Sequence, residues 1–514
     1  MWRRLLAGRL GAPLGAQCSS GVSDPAFAAC SEGLRNGKRP GPEGVPNRPQ
    51  VGNLPHICSL QYMLLTLLIA AAASAAEFPV ANYGAKGDGQ TVDTVAIQKA
   101  IDAAAAAKPG GTVVFKPGVY LSGSLFLKTG MQLRLDEGVE IRGVHELSAY
   151  PIMPTRVAGI EMKWPSALIN VYEQSNVQIS GKGTIDGDGK VFWDKYWQMR
   201  KDEYEPKGLR WAVDYDCQRP RLIQIYKSSN VRLQGLTLKR SGFWTVHICY
   251  SQDVNVEGTT IRNNIAGTGG KGPSTDGIDI DSSANVIVED ADIECNDDAI
   301  CLKAGRDADG LRVNRPSEKI RIRHNTVRGG AAGVTIGSET SGGIRDVEVD
   351  RLTVMAGVPA GILFKSANTR GGTVQNIRIR NVEMQGVPRP ISISMNWNPS
   401  YSYAKLPEGV KAVPDYWRIL LAPVSPELGL PHFRDIHISD IRATGAQQAF
   451  TVSAYPEAPL KDFEFKNINI EAKTAGSIQN AQNWSFSGAV IKTLDGSRVT
   501  VKDSSGVTGL ESRN

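Results

Sequence analysis

Two adjacent aspartates, Asp297 and Asp298, stand immediately before a short apolar stretch in the sequence NDDAICLK. Charged groups at the start of a buried strand cost several kcal/mol unless they are paired or used in chemistry. A third aspartate, Asp276, lies 21 residues earlier, in STDGIDI. Clustered carboxylates raise the pKa of one member, so a protonated acid can stand beside an ionised base. Cleavage of a glycosidic bond requires such a pair; a calcium site or a solvated turn is the alternative interpretation.

The elements that must position these aspartates form a repeat. Each unit begins with Asn, Asp or Lys, continues with alternating apolar residues and ends in a turn. The units start at Asn176, Asn230, Asp253, Asn285, Lys319, Asp346, Asn376, Asp435 and Asp462. The central spacings of 23, 32, 34, 27 and 30 residues are too short for the roughly 40-residue blades of a propeller. Stacked short strands of this kind predict an all-β fold, a right-handed parallel β-helix with coils of at least about 22 residues.

Side-chain alternation along the strands indicates where the aspartates point. The apolar residues of DGIDI and DAICL should face the interior of two successive coils, which lie about 4.8 Å apart. Asp276 and Asp298 are then in phase with each other, and Asp297 points to the opposite side. Because charged groups cannot continue the apolar interior, we expect all three where the strands begin, with Gly277 allowing the backbone to bend.

One amphipathic helix precedes the repeat. It begins at Asp93 in DTVAIQKAIDAAAAA, with Asp93 or Thr94 as its N-cap, and ends before Lys108, where Pro-Gly-Gly follows. We expect this N-terminal capping helix to cover the open end of the solenoid, where unpaired strand edges must be protected.

Two long loop insertions, residues 191–220 and 396–424, interrupt the repeat and are rich in Trp, Tyr and charged residues. Long loops on a rigid scaffold are common binding sites. Their aromatic side chains suit either sugar rings or the packing of the loops onto the coils, and both interpretations remain open.

The N-terminal region divides the chain into three predicted segments. Residues 1–62 have no periodicity and are interpreted as a disordered extension or a consequence of a mis-assigned start codon. Residues 63–76 resemble a signal peptide, with an apolar run and the cleavage pattern Ala-Ser-Ala, although a membrane-anchoring helix is the alternative. Residues 77–510 form a single predicted β-helix catalytic domain. The pattern predicts secretion to the cell exterior or the periplasm.

Charge and cysteine content exclude several function classes. The net charge is +6, but the first 62 residues hold seven Lys and Arg against three Asp and Glu, so the remainder is nearly neutral. We therefore expect no nucleic-acid partner and, in the mature form, no membrane partner. Cys217, Cys249, Cys295 and Cys301 follow the predicted signal peptide without any C-x-x-C spacing, which argues against zinc. We expect no metal, no cofactor and a monomer.

Five motifs together resemble glycoside hydrolase family 28, the polygalacturonase family of pectin-degrading enzymes. They are NYGAKGDGQTVDTVAIQKAID, SGFWTVH, STDGID, NDDAICLK and IGSE, within a resemblance that covers roughly residues 78–500. The resemblance implies a right-handed parallel β-helix, a pectic polysaccharide as substrate and hydrolysis with inversion. It also implies that Asp297 is the general acid, that Asp276 and Asp298 activate the water, and that Lys365 binds substrate.

The sequence departs from the family pattern at three motifs. The family's Asn-Thr-Asp is Ser274-Thr275-Asp276 here, and its Gly-His-Gly and Arg-Ile-Lys fall on residues 331–333 and 363–365. Ala332 replaces the histidine and Leu363 replaces the arginine. Because an arginine fork is the best partner of a carboxylate, we expect plain polygalacturonate to be a poor substrate unless a loop arginine, Arg210 or Arg418, restores the contact.

Several functions remain compatible with the sequence. Within the family they are a polygalacturonase-like hydrolase, a rhamnogalacturonan-specific hydrolase, and an exo-acting α-galacturonidase or rhamnosidase. Outside it they are a calcium-dependent pectate lyase and a non-catalytic glycan-binding β-helix. Three clustered carboxylates favour hydrolysis, because acid and base together break a glycosidic bond without a metal.

Overall fold

The computed structural model describes residues 76–264, 271–410 and 412–510. The predicted extension, residues 1–62, lies outside this part of the chain, as does all but the last residue of the predicted signal peptide, 63–76. Among the described residues, no helix is both long and apolar enough to cross a membrane.

The chain winds into a parallel β-helix whose coils contribute strands to three faces. Face B contains β1 (Ala76–Pro79), β3 (Gly111–Val114), β6 (Gln132–Leu135), β11 (Ser175–Gly181), β14 (Ser229–Gln234), β17 (Gln252–Glu257), β20 (Ala284–Glu289), the first parts of β23 (Ser317–Gly329), β25 (Ile344–Val354), β27 (Thr373–Gln385), β29 (His432–Ser453) and β30 (Leu460–Gln479), and β32 (Ser485–Ser487). Face C contains β2 (Asp88–Val92), β4 (Gly118–Ser122), β7 (Val139–Gly143), β12 (Thr184–Asp186), β15 (Thr237–Lys239), β18 (Thr260–Arg262), β21 (Asp292–Glu294), later parts of β23, β25, β27, β29 and β30, and β33 (Val490–Thr493).

Face A carries the predicted site. It contains β5 (Leu125–Leu127), β10 (Ile169–Tyr172), β13 (Ile223–Tyr226), β16 (Val246–Cys249), β19 (Ile278–Asp281), β22 (Ile300–Lys303), β24 (Ala332–Ile336), β26 (Ala360–Lys365), β28 (Arg389–Ser394) and the end of β29. Two short strands, β31 (Ala481–Gln482) and β34 (Thr500–Lys502), pair with the beginning and the end of β30. The predicted right-handed parallel β-helix is confirmed.

Apolar ladders fill the interior because like residues stack in register from coil to coil. On face A one such ladder runs through Ile169, Ile223, Val246, Ile278, Ile300, Val334, Ile362 and Ile391. All of them are buried. Each coil buries the apolar edge of its neighbours, and this burial stabilises the fold by about 25 cal/mol per Å² of apolar surface. A single coil has no neighbour and cannot bury this surface.

The nine residues that open the predicted repeat units share one backbone conformation. All are left-handed, with φ between 51° and 57°. Asn and Asp tolerate this conformation better than other residues with a side chain. They also bond to one another between coils: Asn230 Nδ2 donates to Asn176 Oδ1 at 2.7 Å, and Asn376 Nδ2 to Asp346 Oδ1 at 2.6 Å. The repeat read from the sequence is therefore a ladder of turn residues.

The predicted capping helix is α1 (Thr94–Ala106), which buries Ile97, Ala100, Ile101 and Ala104. Asp93 is its N-cap residue, but the Asp93 carboxylate accepts hydrogen bonds from the amides of Lys86 and Gly87 instead of from the first turn. The described residues also contain six further α-helices of four to nine residues: α2 (Lys190–Gln198), α3 (Val213–Asp216), α4 (Asp307–Val313), α5 (Pro399–Ser402), α6 (Asp415–Leu420) and α7 (Pro426–Gly429).

One element was not anticipated from the sequence. Strands β8 (Ile152–Val157) and β9 (Ile160–Pro165) form an antiparallel hairpin that belongs to none of the three faces. Its two-residue turn consists of Ala158 and Gly159, both with positive φ. We call residues 152–165 the strap.

Candidate active site

The three predicted aspartates meet at the start of two neighbouring strands of face A. The amide of Gly277 donates to the carbonyl oxygen of Asp298 at 2.9 Å, so Asp276 and Asp298 occupy equivalent positions on successive coils. Asp276 and Asp298 are buried and Asp297 is half-buried. All three line one cleft of about 620 Å³, open mouth included. The structure thus brings together the residues that the sequence singled out, while their catalytic roles stay predictions.

Asp298 is held in its ionised form by a lysine. Lys365 Nζ donates to Asp298 Oδ2 at 2.6 Å, and Thr335 Oγ1 donates to Asp298 Oδ1 at 2.9 Å. Burial favours the protonated acid, but the charges of Lys365 and Lys303 outweigh it and lower the pKa of Asp298 below its ordinary value. Lys365, predicted to bind substrate, therefore contacts a catalytic candidate directly.

Asp297 is biased in the opposite direction. Burial, followed by the negative charge of Asp298, raises the pKa of Asp297. The amide of Asp298 donates to Asp297 Oδ1 at 3.0 Å, which fixes the orientation of the carboxyl group. Two adjacent carboxyl groups with pKa values pushed apart suit an acid and a base in the same reaction.

Lys303 is a central residue that the sequence reading missed. Its ammonium lies 3.5 Å from Asp276 Oδ2, 3.4 Å from Asp279 Oδ1 and 3.5 Å from Glu339 Oε2. Burial raises the pKa of Asp279 to about 7, and burial with the charge of Asp279 raises that of Asp276. For Glu339, Lys303 and nearby arginines outweigh burial and lower the pKa to about 2. Strand alternation was the available signal, since Lys303 at the end of AICLK must face outward.

The two departures from the family pattern lie in one apolar patch. Ala332, Ala360 and Leu363 are buried against one another, and Trp397 of the second insertion packs on them. Lys365 Nζ lies 4.8 Å from the centre of the Trp397 ring. Trp397 lines the cleft beside Asp298. The positions without His and Arg thus form a small buried apolar cluster beneath Trp397, which we call the apolar patch.

Of the two loop arginines that could replace the missing one, only Arg210 lines the cleft among the described residues. Arg210 Nη1 donates to Asp214 Oδ2 at 2.5 Å, and its guanidinium lies 5.5 Å from the Tyr401 ring. Arg418 instead pairs with Asp415 and is 66% exposed. Arg210 is therefore the cation that the first insertion contributes to the site.

The aromatic residues of the insertions serve both of the functions left open by the sequence. Five of the twelve pack into a second apolar cluster with the strap, in which the rings of Trp211 and Trp417 are 4.9 Å apart, and Phe192, Trp193 and Tyr196 are buried elsewhere. Trp397 and Tyr401 instead line the cleft, and the Tyr401 hydroxyl donates to Glu339 Oε1 at 3.1 Å. Packing therefore accounts for the larger share.

The site contains one group of side chains with metal-ligand spacing. Ligand atoms of Asp276, Asp298 and Cys301 all lie within 4.8 Å of one another. Calcium prefers six to eight oxygen ligands. Here one ligand is a thiol, and the two carboxylates already face Lys303 and Lys365. These residues do not fit the calcium site that a pectate lyase needs.

Comparison with known proteins assigns the family. Residues 113–414 match the family model of Glycosyl hydrolases family 28, and residues 78–134 match Rhamnogalacturonase A/epimerase, pectate lyase-like. The chain belongs to glycosyl hydrolases family 28. A probable polygalacturonase of Vitis vinifera is 31% identical over 313 residues, which are 59% of this chain and 60% of that protein. The match thus covers less than two thirds of the Vitis protein.

Two further proteins that are similar to this chain differ from each other in the mode of action that their names give. An endo-polygalacturonase of Pectobacterium carotovorum subsp. carotovorum is 33% identical over 314 residues, 60% of this chain and 73% of that protein. This chain also aligns with the crystal structure of a hyperthermoactive exopolygalacturonase from Thermotoga maritima, with 25% sequence identity and a TM-score of 0.64. The alignment covers 83% of this chain and 91% of the Thermotoga chain. The resemblance to family 28 is confirmed, and the relatives do not decide between endo and exo action.

Proposed function

We propose that the protein hydrolyses glycosidic bonds of pectic polysaccharides with inversion. Asp297 donates a proton to the leaving oxygen, and Asp298, with Asp276, accepts one from the attacking water. The observation that carries the proposal is the opposite pKa direction of two adjacent carboxyl groups in one cleft. One glycosidic bond is cleaved and one water is consumed; Asp298 then releases the proton it gained to solvent, and Asp297 takes one up.

Asp276 assists this reaction from its position beside Lys303. Asp276, Asp279 and Glu339 surround the single ammonium of Lys303, so their negative charges are incompletely balanced. Burial raises the pKa of Asp276, whereas Lys365 and Lys303 lower that of Asp298, so Asp298 is the more readily ionised of the two. We therefore assign the primary base role to Asp298 and a water-orienting role to Asp276.

The substrate is proposed to be a decorated or rhamnose-containing pectin. Ala332 and Leu363 provide no side-chain hydrogen-bond donor where the family pattern has two, and Trp397, which packs on them, presents an apolar ring to the cleft. Losing a charge-assisted contact costs about 1.5–3 kcal/mol, so a free uronate is bound less well there. A deoxy sugar or an esterified uronate suits this surface better. Arg210 remains available for a uronate elsewhere in the cleft.

Two measurements test this function. Proton NMR of the first product should show the inverted anomer, and retention would contradict the mechanism. A panel of pectic oligosaccharides should show higher kcat/KM on rhamnogalacturonan than on homogalacturonan fragments. Activity that is lost with EDTA and gives unsaturated products would indicate a lyase, and glycan binding without turnover would indicate a non-catalytic protein.

We also propose that the catalytic domain, residues 77–510, is exported as a monomer after removal of residues 1–76. The apolar run and the Ala-Ser-Ala pattern that precede the domain support export. Expression of the full chain in a bacterial host, followed by N-terminal sequencing of the extracellular or periplasmic protein, tests the cleavage site. Light scattering of the same material tests the monomer.

A further inference from the structure

The strap crosses the outer surface of face A. At its base, Trp164 Nε1 donates to the carbonyl oxygen of Arg219, before the start of β13. At its tip, the carbonyl oxygen of Gly159 accepts from the amide of Arg306, just after the end of β22, at 2.9 Å. The strap therefore spans the strands from the edge where they begin to the edge where they end.

Side chains under the strap are sealed from solvent. Arg156 Nη1 of the strap donates to Asp281 Oδ1 at 2.8 Å and to Ser282 Oγ at 2.6 Å. His247 and Cys249 point outward from β16, yet both are 0% exposed, as is Asp281. No sugar chain can lie on this part of face A, because the strap occupies the outer surface.

The two insertions reinforce the strap from above. The Tyr215 hydroxyl donates to the carbonyl oxygen of Ala158 at the strap tip, at 2.9 Å. Arg306 donates to the carbonyl oxygens of Tyr401 and Ser402, which joins the second insertion to the same point. Together with the cluster around Trp211 and Trp417, these contacts make a packed wall rather than a mobile loop.

The wall borders the cleft. Three of the residues that line the cleft, Ala158, Arg210 and Tyr401, each come from a different segment of the wall. On later coils of face A the corresponding outward positions open to solvent: Thr451 is half-buried and Ser453 is exposed. The groove is thus blind toward earlier coils and open toward later ones.

We infer that the enzyme acts on chain ends: the blind end receives the terminal sugar, and the rest of the polysaccharide leaves along the open side. This exo mode rests on the hydrolysis proposed above. An internal segment would have to continue through the wall formed by the strap, whereas a terminal sugar need not. Arg210, partly exposed at the closed end, supplies a cation for a terminal uronate.

The first test compares product patterns and rates at fixed polysaccharide mass below saturation. Shortening the polysaccharide chains to half their mean length should double the initial rate of an exo-acting enzyme. The number of chain ends doubles, whereas the number of glycosidic bonds hardly changes. A single short product should appear from the first turnover. A ladder of fragments with a rate independent of chain length would overturn the inference and leave hydrolysis intact.

A binding measurement separates failure of this inference from failure of the proposed function. The Asp297→Asn variant should bind pectic oligosaccharides of increasing length with an unchanged stoichiometry of one protein per chain, measured by calorimetry. Several proteins on each long chain would overturn the blind cleft even if no hydrolysis were detected. Absence of cleavage on every pectic chain, with one protein per chain, would overturn only the proposed reaction.

A variant at the strap tip tests the wall itself. A Cβ at Gly159 would lie 2.8 Å from the amide nitrogen of Arg306, so Gly159→Ala must displace the tip. Gly208→Ala is the matched control, since Gly208 also has positive φ but nothing within 4 Å of its Cβ position. We expect longer products from Gly159→Ala than from Gly208→Ala. Identical product patterns from the two folded variants would contradict closure by the strap.

Discussion

The two sides of the cleft use the same strand geometry for opposite purposes. On earlier coils the outward positions of face A carry polar and charged side chains, among them His247, Asp279 and Lys303, and all are buried. On later coils Ala332 and Leu363 place buried apolar side chains at the equivalent positions. The difference follows from what covers each side: the strap excludes water from the first, and Trp397 packs on the second. The first side can organise charge, and the second can select a sugar.

Burial changes how the charges of the strapped side behave. Burial, reinforced by nearby Arg221, lowers the pKa of His247 to about 4, so its ring is neutral at ordinary pH. For Asp281 the effect of burial is outweighed, chiefly by Arg156, and its pKa is lowered. Buried ions that are paired are costly to separate, which makes their positions rigid. A rigid arrangement of charge is what electrostatic catalysis requires.

The largest effect should come from Asp297→Asn at the centre of the charged side. Removing the proton donor should lower kcat by about 10²–10⁴-fold on natural oligosaccharides. An aryl glycoside with a good leaving group should lose much less, because its leaving oxygen needs less protonation. Asp290→Asn is the control, since its side chain is 59% exposed and away from the cleft.

Equal losses of kcat on the natural and the activated substrate would contradict the acid role of Asp297. The charged side would then have to be reassigned, with Asp276 as the next candidate because its pKa is also raised.

An intermediate effect should follow from Lys365→Met, because Lys365 donates to Asp298 on the charged side and lies beside Trp397 on the apolar side. Lys365 lowers the pKa of Asp298, so its removal lets burial raise that pKa. Asp298 must be ionised to accept a proton; the acidic limb of the kcat/KM profile should therefore move to higher pH. Each unit of movement costs about tenfold in activity on the acidic limb.

The pH profile of Lys227→Met provides the control for Lys365→Met, because the Lys227 side chain is 50% exposed and pairs only with Glu173 among the described residues. A lower kcat/KM with an unmoved acidic limb would mean that Lys365 binds substrate, as the family resemblance implies, without setting the protonation of Asp298.

The sequence predicted what depends on local pattern. Asn and Asp at the starts of the repeat units predicted the coils because few other residues accept a left-handed turn. The in-phase relation of Asp276 and Asp298 needed only period-2 alternation and one coil length. Both inferences use neighbours along the chain or one turn away, and both agree with the structure.

The strap and the Lys303 cluster could not be predicted in the same way. An outward-facing lysine at a strand end is usually solvated, but Lys303 is enclosed by three carboxyl groups, and its ammonium lies 5.1 Å from the centre of the Trp244 ring. The strap, residues 152–165, turns at Ala158-Gly159, which lacks the Asn-Gly or Asp-Gly signal of a tight hairpin. The missing information was therefore long-range: which segment lies over which coil.

The smallest effect tests the open side. In Leu363→Arg, a guanidinium replaces an apolar side chain of the apolar patch and can meet a uronate with two parallel hydrogen bonds. Such a contact contributes about 1.5–3 kcal/mol, but the nearby positive charge of Lys365 and the lost packing on Trp397 reduce the gain. We expect the kcat/KM ratio of homogalacturonan to rhamnogalacturonan oligomers to rise by up to about tenfold, equivalent to about 1.4 kcal/mol.

Leu428→Arg adds the same charge at a position that is 62% exposed, and it should leave this ratio unchanged. If Leu363→Arg and Leu428→Arg behave alike, the apolar patch does not contact the substrate. If the unmodified enzyme already prefers unsubstituted homogalacturonan, Arg210 must hold the uronate by itself. In both cases the residues that select the sugar would lie on the side of the cleft covered by the strap. The same side would then determine both the reaction and the substrate specificity.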